Sequence, residues 1–137
     1  RTEQEVVEMA ELVVNVVSAE RALWSGSAKS VVAKTPEGEI GIMPGHEPVL
    51  ALLVDSALRI EEADGTKMLV AVHGGFFSVD SNVVNVIAEI AELAEDIDLD
   101  RAKAALAAAQ TANDEDTSAV RRAETRVTVA GMAGSLR

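Results

Sequence analysis

The sequence predicts a mainly β protein that ends in two helices: a β-sandwich or barrel followed by a helical appendage. Two observations support this prediction. Up to Ala94, β-branched residues cluster in short runs separated by turn-forming residues, and beyond Ala94 an alanine-rich, helix-favouring composition replaces them. Many short strands at regular spacing are typical of an all-β sandwich or barrel. The 137 residues are enough for one such core and a small appendage.

Eight runs in the first part are predicted strands, because they are rich in residues that favour an extended backbone. They cover residues 12–17, 29–33, 39–43, 49–54, 58–61, 68–72, 76–79 and 83–88. Turn-forming sequences with Gly, Pro, Asn or Asp stand at 25–26, 36–38, 44–45, 63–65, 74–75 and 80–82. The first strand is apolar on both faces, which predicts a central position in its sheet.

The second part has the composition of two helices. Asp98 is the predicted N-cap of a first helix over residues 99–110, which is dominated by Ala. An acidic break at 113–116 precedes a second helix that begins at one of residues 116–118. One face of this second helix carries, at helical spacing, Val120, Ala123, Val127 and Ala130.

The end of the second helix is predicted at Gly131 and Gly134. The first helix carries few large side chains, so it buries little apolar area at about 25 cal/mol per Å². Two interpretations therefore stay open. The hairpin packs stably on the sandwich, or it is held loosely enough to detach and rearrange.

Composition excludes several classes of function. The net charge of -11 and the sequence pI near 4.5 disfavour nucleic acid and anionic membrane surfaces as partners. No uncharged apolar run reaches the roughly 18 to 20 residues of a membrane-spanning helix, and no signal peptide is expected. The absence of Cys excludes disulfides, thiolate catalysis and Cys-ligated zinc.

Motifs that carry catalytic chemistry are missing from the sequence. There is no phosphate-binding P-loop, no Gly-x-Ser-x-Gly elbow and no set of nucleophile, base and orienting group. The two histidines, His46 in a Pro-bounded loop and His73 at a strand end, are too few for a metal site. Asp96-x-Asp98-x-Asp100 begins like a calcium loop, but Arg101 and Ala107 replace its required Gly and Glu.

Charged residues do meet where the predicted sandwich joins the helices. Glu92, Glu95, Asp98 and Arg101 form a candidate polar site at this junction. Arg101 is suited either to bind a phosphate or to pair with Asp98 or Glu95, and the residues alone leave both possibilities open.

Four motifs, in order, resemble the epsilon subunits of bacterial and chloroplast ATP synthases. Residues 38–50 read Gly-Glu-Ile-Gly-Ile-Met-Pro-Gly-His-Glu-Pro-Val-Leu, similar to the signature of that family. Residues 16–20 followed by Trp-Ser-Gly at 24–26 match its first strand and turn. Residues 72–76 are similar to its Val-Ser-Gly-Gly-Phe run, and 97–102 to the Ile-Asp-x-x-Arg-Ala motif of its nucleotide-binding members. The resemblance extends from about residue 9 to about residue 132.

This resemblance implies a sandwich of about ten strands over residues 9–94, a helix-loop-helix over 95–137 and an unassigned leader over 1–8. It implies a non-catalytic rotor subunit that couples proton-driven rotation of the c-ring to ATP synthesis. The sandwich would bind the gamma subunit and the c-ring, with Glu39 and His46 in loops that face the c-ring. The implied location is peripheral, in the F1 sector at the cytoplasmic face of the bacterial plasma membrane.

The helices are implied to regulate the complex. In the family they lie folded on the sandwich or extend towards the catalytic alpha and beta subunits, where the extended form blocks ATP hydrolysis. The candidates for contact with the beta subunit are Arg121, Arg122 and Arg126, which lie away from the apolar stripe. The second helix looks shorter than in long family members, and its start is acidic.

Nucleotide binding is implied by Glu92, Asp98 and Arg101, which match positions used by ATP-binding members. A further Arg of such members falls at Ala108 here. Each lost charge-assisted contact removes roughly 1.5 to 3 kcal/mol. We therefore expect no required cofactor, ATP as at most a weak regulatory ligand, and Asp98 and Arg101 acting mainly at the helix start.

Three classes of function remain to be compared. The first is a structural and regulatory rotor subunit, and the second is an ATP-sensing module that uses Glu92, Asp98 and Arg101. The third is a small β-sandwich enzyme working through His46 or His73, against which the missing catalytic constellation counts. Co-purification with gamma distinguishes the first class from a free-standing sensor.

Overall fold

The computed structural model describes residues 11–111 and 117–135, which form nine strands, a short 3-10 turn and two α-helices. The strands are β1 (Leu12–Ser18), β2 (Ala22–Thr35), β3 (Gly38–Ile42), β4 (Val49–Leu52), β5 (Ser56–Glu62), β6 (Lys67–His73), β7 (Phe76–Asp80), β8 (Val83–Ala88) and β9 (Ile90–Leu93). The 3-10 turn Ala94–Asp96 leads to helix α1 (Leu99–Thr111) and helix α2 (Thr117–Ser135).

The strands form a sandwich whose two sheets share β2. Hydrogen bonds connect the strands in the order β4-β7-β8-β1-β2-β5-β6-β9, and β3 also pairs with β2. The first half of β2 pairs with β1, whereas its second half pairs with β3 and β5. The predicted fold class is confirmed, and β1 is central between β8 and β2. The described residues form nine strands, where the resemblance implied about ten.

The main core lies between the two sheets and is almost entirely aliphatic. Alternate side chains of β1 point into it, and Leu12, Val14 and Val16 are fully buried. Phe77 is the largest fully buried side chain. A second, smaller apolar cluster lies outside the sandwich and joins it to α2. This second cluster consists of Leu69, Ala71, Ala94 and Val129.

The turn predicted at residues 25–26 is wrong, because both residues lie inside β2. Gly26 does not mark a turn but makes room for an aromatic ring. A Cβ on Gly26 would lie 2.6 Å from the ring of Trp24, so Trp24 covers this glycine along the strand. The chain reverses earlier, where the Ser18 N–H donates to the Arg21 carbonyl over 2.9 Å.

The turn predicted at Gly74-Gly75 is confirmed, and both residues have positive φ, at 70° and 96°. Gly75 is also packed against a neighbouring strand. A Cβ there would lie 2.1 Å from the carbonyl oxygen of Ile87, so only glycine fits without a shift of the backbone.

The helices begin as predicted but end differently. The Asp98 Oδ1 atom accepts the Arg101 N–H over 3.1 Å, which makes Asp98 the N-cap of α1. Gly131 does not end α2, which continues to Ser135. The contacts of Val129, Met132 and Ala133 with the sandwich cluster outweigh the weak helix propensity of glycine. The predicted leader at 1–8 and the acidic break at 113–116 lie outside the described residues.

A strand that was not predicted, β9, follows β8 directly and pairs with β6. Its four residues, Ile-Ala-Glu-Leu, also favour helix, which explains why composition gave no clear signal. This strand positions the junction described next, because it carries Glu92.

Candidate functional site at the junction of sandwich and hairpin

The junction is the outer face of β5, β6 and β9, on which α2 lies. Successive residues of a strand point to opposite faces, so Val70 and Val72 of β6 enter the main core. Leu69 and Ala71 point outward into the smaller cluster with Val129 of α2, and His73 continues this outward series. Glu92 is on the same face, because its register partner is Ala71.

Among the described residues, one ion pair connects the hairpin to the sandwich. The Arg126 Nε atom on α2 donates to Glu92 Oε1 on β9 over 2.6 Å. Both side chains are about two-thirds shielded from water, at 30% and 31% exposure. Arg126 precedes the fully buried Val129 by three residues, so apolar packing and the ion pair act on one face of α2.

A buried histidine lies beside this ion pair. His73 ends β6 as predicted, but its side chain is only 3% exposed. The His73 Nε2 atom is 3.4 Å from Glu92 Oε1, and its Nδ1 atom is 4.0 Å from Asp55 Oδ2. Neither ring nitrogen has a hydrogen-bond partner in the described part of the chain. Asp55 is fixed beside the ring, because its Oδ1 atom accepts the Gly74 N–H over 3.0 Å.

Electrostatics favour the ionised form of Glu92. The His73 ring lowers the pKa of Glu92, and the Arg126 guanidinium lowers it further, while partial burial of the carboxyl acts in the opposite direction. The net direction is downward from the ordinary value of 4.5, so the carboxylate keeps its charge at neutral pH.

The residues predicted for nucleotide binding are engaged in other contacts. The Glu92 carboxylate faces Arg126 and His73, and the Asp98 carboxylate caps α1. The Arg101 side chain is exposed, on the first turn of α1. None of these contacts joins Glu92 to Asp98 or Arg101, so the nucleotide site stays a prediction.

The residues predicted for the c-ring lie on two different elements. Glu39 is in strand β3, so its predicted loop position is wrong, and its Oε2 atom pairs with Arg59 Nη2 over 2.9 Å. His46 is in the loop between β3 and β4, as predicted, and its Nδ1 atom lies 2.6 Å from the Glu47 carbonyl oxygen. The loop is fixed where the Gly45 N–H donates to Asn82 Oδ1 over 2.8 Å.

The three arginines of α2 have different surroundings. Arg121 is exposed, and Arg122 is half-buried with its Nη1 atom donating to Ser118 Oγ over 3.1 Å. Arg126 is the member that contacts the sandwich. The residues of α2 that contact the sandwich include Arg126, Val129, Met132 and Ala133, none of which belongs to the predicted apolar stripe.

The other sheet has an apolar outer face that the hairpin does not cover. Leu52, Phe76 and Ile87 are direct register neighbours on β4, β7 and β8, and they are 64%, 40% and 41% exposed. Leu50, two residues before Leu52, extends this face at 70% exposure. We call Leu50, Leu52, Phe76 and Ile87 the apolar row.

Sequence reasoning missed Asp55, the role of Arg126 and the apolar row. The alternation of residues 69, 71 and 73 in β6 is a signal that could have placed His73 on the helix-facing side. Asp55 gives no such signal, because it stands in a connecting segment and reaches His73 only through the fold.

The comparisons with known proteins agree with this architecture. A family described as "ATP synthase, Delta/Epsilon chain, beta-sandwich domain" matches residues 11–94. The ATP synthase epsilon chain of Rhodococcus opacus is 52% identical over 119 residues, covering 86% of this chain and 96% of the relative. The epsilon chain of Streptomyces griseus is 47% identical over 118 residues, with 86% and 94% coverage.

A solved structure shares the fold. In the cryo-EM structure of the Euglena gracilis mitochondrial ATP synthase, one chain superposes with a TM-score of 0.71 at 24% identity. The match covers 93% of this chain and 82% of that one.

The fold and these relatives define the class as non-catalytic stalk subunits, and in this chain the β-sandwich is followed by two C-terminal helices. Within that class, the chain belongs to the ATP synthase epsilon-chain family. Neither of its two described helices has the length and apolar character needed to cross a membrane. Residues 11–111 and 117–135 contain no cluster of three or more potential metal ligands.

Proposed function

We propose that this epsilon chain is a rotor subunit that couples c-ring rotation to ATP synthesis and regulates ATP hydrolysis through its helices. The observation that carries the coupling role is the apolar row on the uncovered sheet. Exposed apolar surface of this kind marks sites of protein association. The gamma subunit is the proposed partner for this face, since the resemblance assigns gamma binding to the sandwich.

The geometry supports a rigid attachment. Leu52, Phe76 and Ile87 are held in register by backbone hydrogen bonds of three adjacent strands, so they form a preorganised surface. A preorganised surface loses little conformational entropy on binding. The hairpin lies on the opposite sheet, so binding of gamma at the apolar row leaves α2 free to move.

A matched pair of substitutions tests the assignment. Ile87 and Ile90 are the same residue type with 41% and 40% exposure, but Ile87 is in the apolar row and Ile90 is on the helix-facing sheet. We expect Ile87→Asp to weaken binding to the cognate gamma subunit by at least about 1.4 kcal/mol, or tenfold, and Ile90→Asp to leave it nearly unchanged. Equal effects from both variants, with both folded, would contradict the assignment.

The proposed c-ring contacts are Glu39 and His46. His46 stands in the loop of residues 43–48, which is anchored by Asn82 and presents the exposed Met43 side chain. Glu39 is exposed on β3 despite its pair with Arg59. Crosslinking from a Cys at either position to the c-ring is specific, because the chain has no other Cys. No crosslink from either position in the assembled complex would rule out these contacts.

The proposed regulation uses release and extension of the hairpin. Release of α2 from the sheet would break the Arg126–Glu92 ion pair and free Arg126, alongside Arg121 and Arg122, to meet the acidic residues proposed on the beta subunit. The test is ATP hydrolysis by the cognate complex with the full chain and with a chain truncated after Ile97. We expect truncation to raise hydrolysis several-fold, and unchanged hydrolysis with normal assembly would reject an inhibitory role.

ATP is proposed to bind weakly or not at all. Supporting this, Asp98 already caps α1, Glu92 already pairs with Arg126, and Ala108 supplies no cation. Calorimetric titration of the isolated chain tests it. Micromolar binding that Arg101→Ala abolishes would favour the alternative, an ATP-sensing module at the junction. The proposed location is the F1 sector at the cytoplasmic face of the plasma membrane.

A further inference from the structure

The His73 side chain stands where three charged groups from three elements meet. Asp55 faces its Nδ1 atom from the segment before β5, Glu92 faces its Nε2 atom from β9, and Arg126 reaches the same Glu92 oxygen from α2. The ring is 3% exposed and neither nitrogen makes a hydrogen bond within the described residues. Two carboxylates therefore lie within 4.0 Å of a buried imidazole, so the charge of the ring bears directly on this cluster.

We propose that His73 is a proton-sensitive release device for the hairpin, in which protonation of the ring loosens the docking of α2 on the sandwich. Histidine is the side chain whose charge ordinarily changes between about pH 5 and pH 8. The His73 Nε2 atom lies 3.4 Å from the Glu92 oxygen that pairs with Arg126, so the charge of the ring affects the docking of α2.

The direction of the pH effect depends on which charged groups move with α2 when the hairpin is released. Asp55 and Glu92 both belong to the sandwich, so their attraction for a protonated ring is present whether α2 is docked or released. Arg126 belongs to α2, and its positive charge opposes ring protonation only in the docked state. This opposing charge is removed on release, so protonation of the ring favours the released hairpin.

The same result follows from the charge that Arg126 encounters. With a neutral ring, Asp55 and Glu92 present two negative charges to Arg126. With a protonated ring, Asp55, Glu92 and His73 together carry a net charge of only one negative unit. His73 then also competes with Arg126 for the same Glu92 Oε1 atom. Acidification therefore weakens the attraction that holds Arg126 on the sandwich.

Other charged groups lie around this cluster. Glu89 lies against Gly74, the residue after His73, since its carboxyl carbon would be 3.2 Å from a Cβ there. Arg121 and Glu124 of α2 line a cleft with Asp55 and carry opposite charges, and Lys34 and Glu39 line the next cleft in the same way. Arg59 lines the second cleft as well. The groups that contact the ring or share its Glu92 oxygen are Asp55, Glu92 and Arg126.

The proposal concerns docking in the isolated chain and can be tested without the complex. Its bearing on ATP hydrolysis rests on the proposed regulatory role. Two native reporters are available: the methyl groups of Val129, a fully buried residue of α2 in the cluster with Leu69 and Ala71, and the indole of Trp24, which lines a cleft with Ala133 of α2. Trp24 is the single Trp of the chain, so its signal is unambiguous.

The experiment follows both reporters by NMR from pH 8 to pH 5.5 in the isolated full chain. We expect the ratio of docked to released hairpin to fall by roughly tenfold, which corresponds to about 1.4 kcal/mol of docking free energy. His73→Gln should remove the pH dependence, and His46→Gln, at the other histidine of the chain, should retain it. If His73→Gln does not fold, His73→Ser is used in its place, because Ser is the residue at this position in the similar Val-Ser-Gly-Gly-Phe run.

A further variant keeps the histidine and removes the competing charge. Arg126→Gln should weaken docking at pH 8 and reduce the pH dependence, and it changes only a residue of α2. The proposal would be overturned if docking of the wild type were independent of pH or tightened on acidification. It would also be overturned if His73→Gln kept the pH dependence or if Arg126→Gln kept it in full strength. Such a result would leave the proposed coupling and inhibition untouched, since those are tested by gamma binding and by truncation.

Discussion

The Nε atom of Arg126 and the Oε1 atom of Glu92 lie 2.6 Å apart and join α2 to β9 across 34 residues of sequence. Apolar contacts accompany this ion pair, but the outer cluster has only four buried members, against eighteen in the main core. Within the described residues, the hairpin is therefore attached by a small apolar interface together with this ion pair.

We expect Glu92→Gln to loosen the hairpin by about 1 to 2 kcal/mol, because a hydrogen bond to a charged group contributes roughly 1.5 to 3 kcal/mol and partial exposure of both side chains reduces it. Hydrogen exchange of the α2 amides at one fixed pH near 8 measures it, and exchange in the main core should not change. Glu95→Gln is the matched control, because Glu95 is an exposed acid three residues away. Equal exchange in the two variants would contradict the role given to Glu92.

The acid stability of the chain should contain a contribution from the same carboxylate. Because the folded protein lowers the pKa of Glu92, the stabilisation is complete above the unfolded value near 4.5 and is lost as the pH falls through the lower folded value. Urea unfolding of the wild type and Glu92→Gln between about pH 3 and pH 6 should therefore converge at the acid end. A difference that grows on acidification would show the opposite sign.

Gly75→Ala should destabilise the sandwich by at least about 3 kcal/mol. The left-handed backbone costs a non-glycine residue about 1 to 2 kcal/mol, and the new Cβ would collide with the Ile87 carbonyl at 2.1 Å. Gly65→Ala separates the two effects, because Gly65 has a similar φ of 91° with nothing within 4 Å of its Cβ position. Urea unfolding measures both, and equal losses would mean that the close approach to Ile87 relaxes without cost.

Asp98→Ala should weaken the start of α1 by about 1 kcal/mol through loss of its N-cap. Asp98→Asn should retain most of the cap, since an amide oxygen can accept the Arg101 N–H. Hydrogen exchange in the first turn of α1 distinguishes them. If Asn were as damaging as Ala, the charge of Asp98 and not its hydrogen bond would hold the helix start.

Most of the strand positions were predictable, because aliphatic and β-branched residues in runs between turn residues leave few alternatives. Trp24 and Gly26 show where local composition fails: a glycine that accommodates a ring within a strand looks the same in sequence as a glycine in a turn. The start of α1 was predictable since capping by Asp98 is a local interaction.

The junction was only half predictable. Glu92 was correctly identified as a junction residue, but its observed contacts depend on pairs separated by 19 residues (His73) and 34 residues (Arg126). Local pattern cannot give such pairs, because they form only when β6, β9 and α2 are packed together. The sheet-facing side of α2 was not predictable for the same reason: Val129, Met132 and Ala133 become its contact residues only when the helix packs on the sandwich.

The sharing of β2 between the two sheets has a mechanical consequence. Its 14 residues run from one layer into the other, so the covalent backbone itself connects the two sheets. A twisting force applied to the face of Phe76 and Ile87 passes through β8 and β1 into β2, and from there along peptide bonds to β5 and β6. The two layers cannot shift relative to each other without breaking hydrogen bonds on both sides of β2, which makes the sandwich resistant to shear.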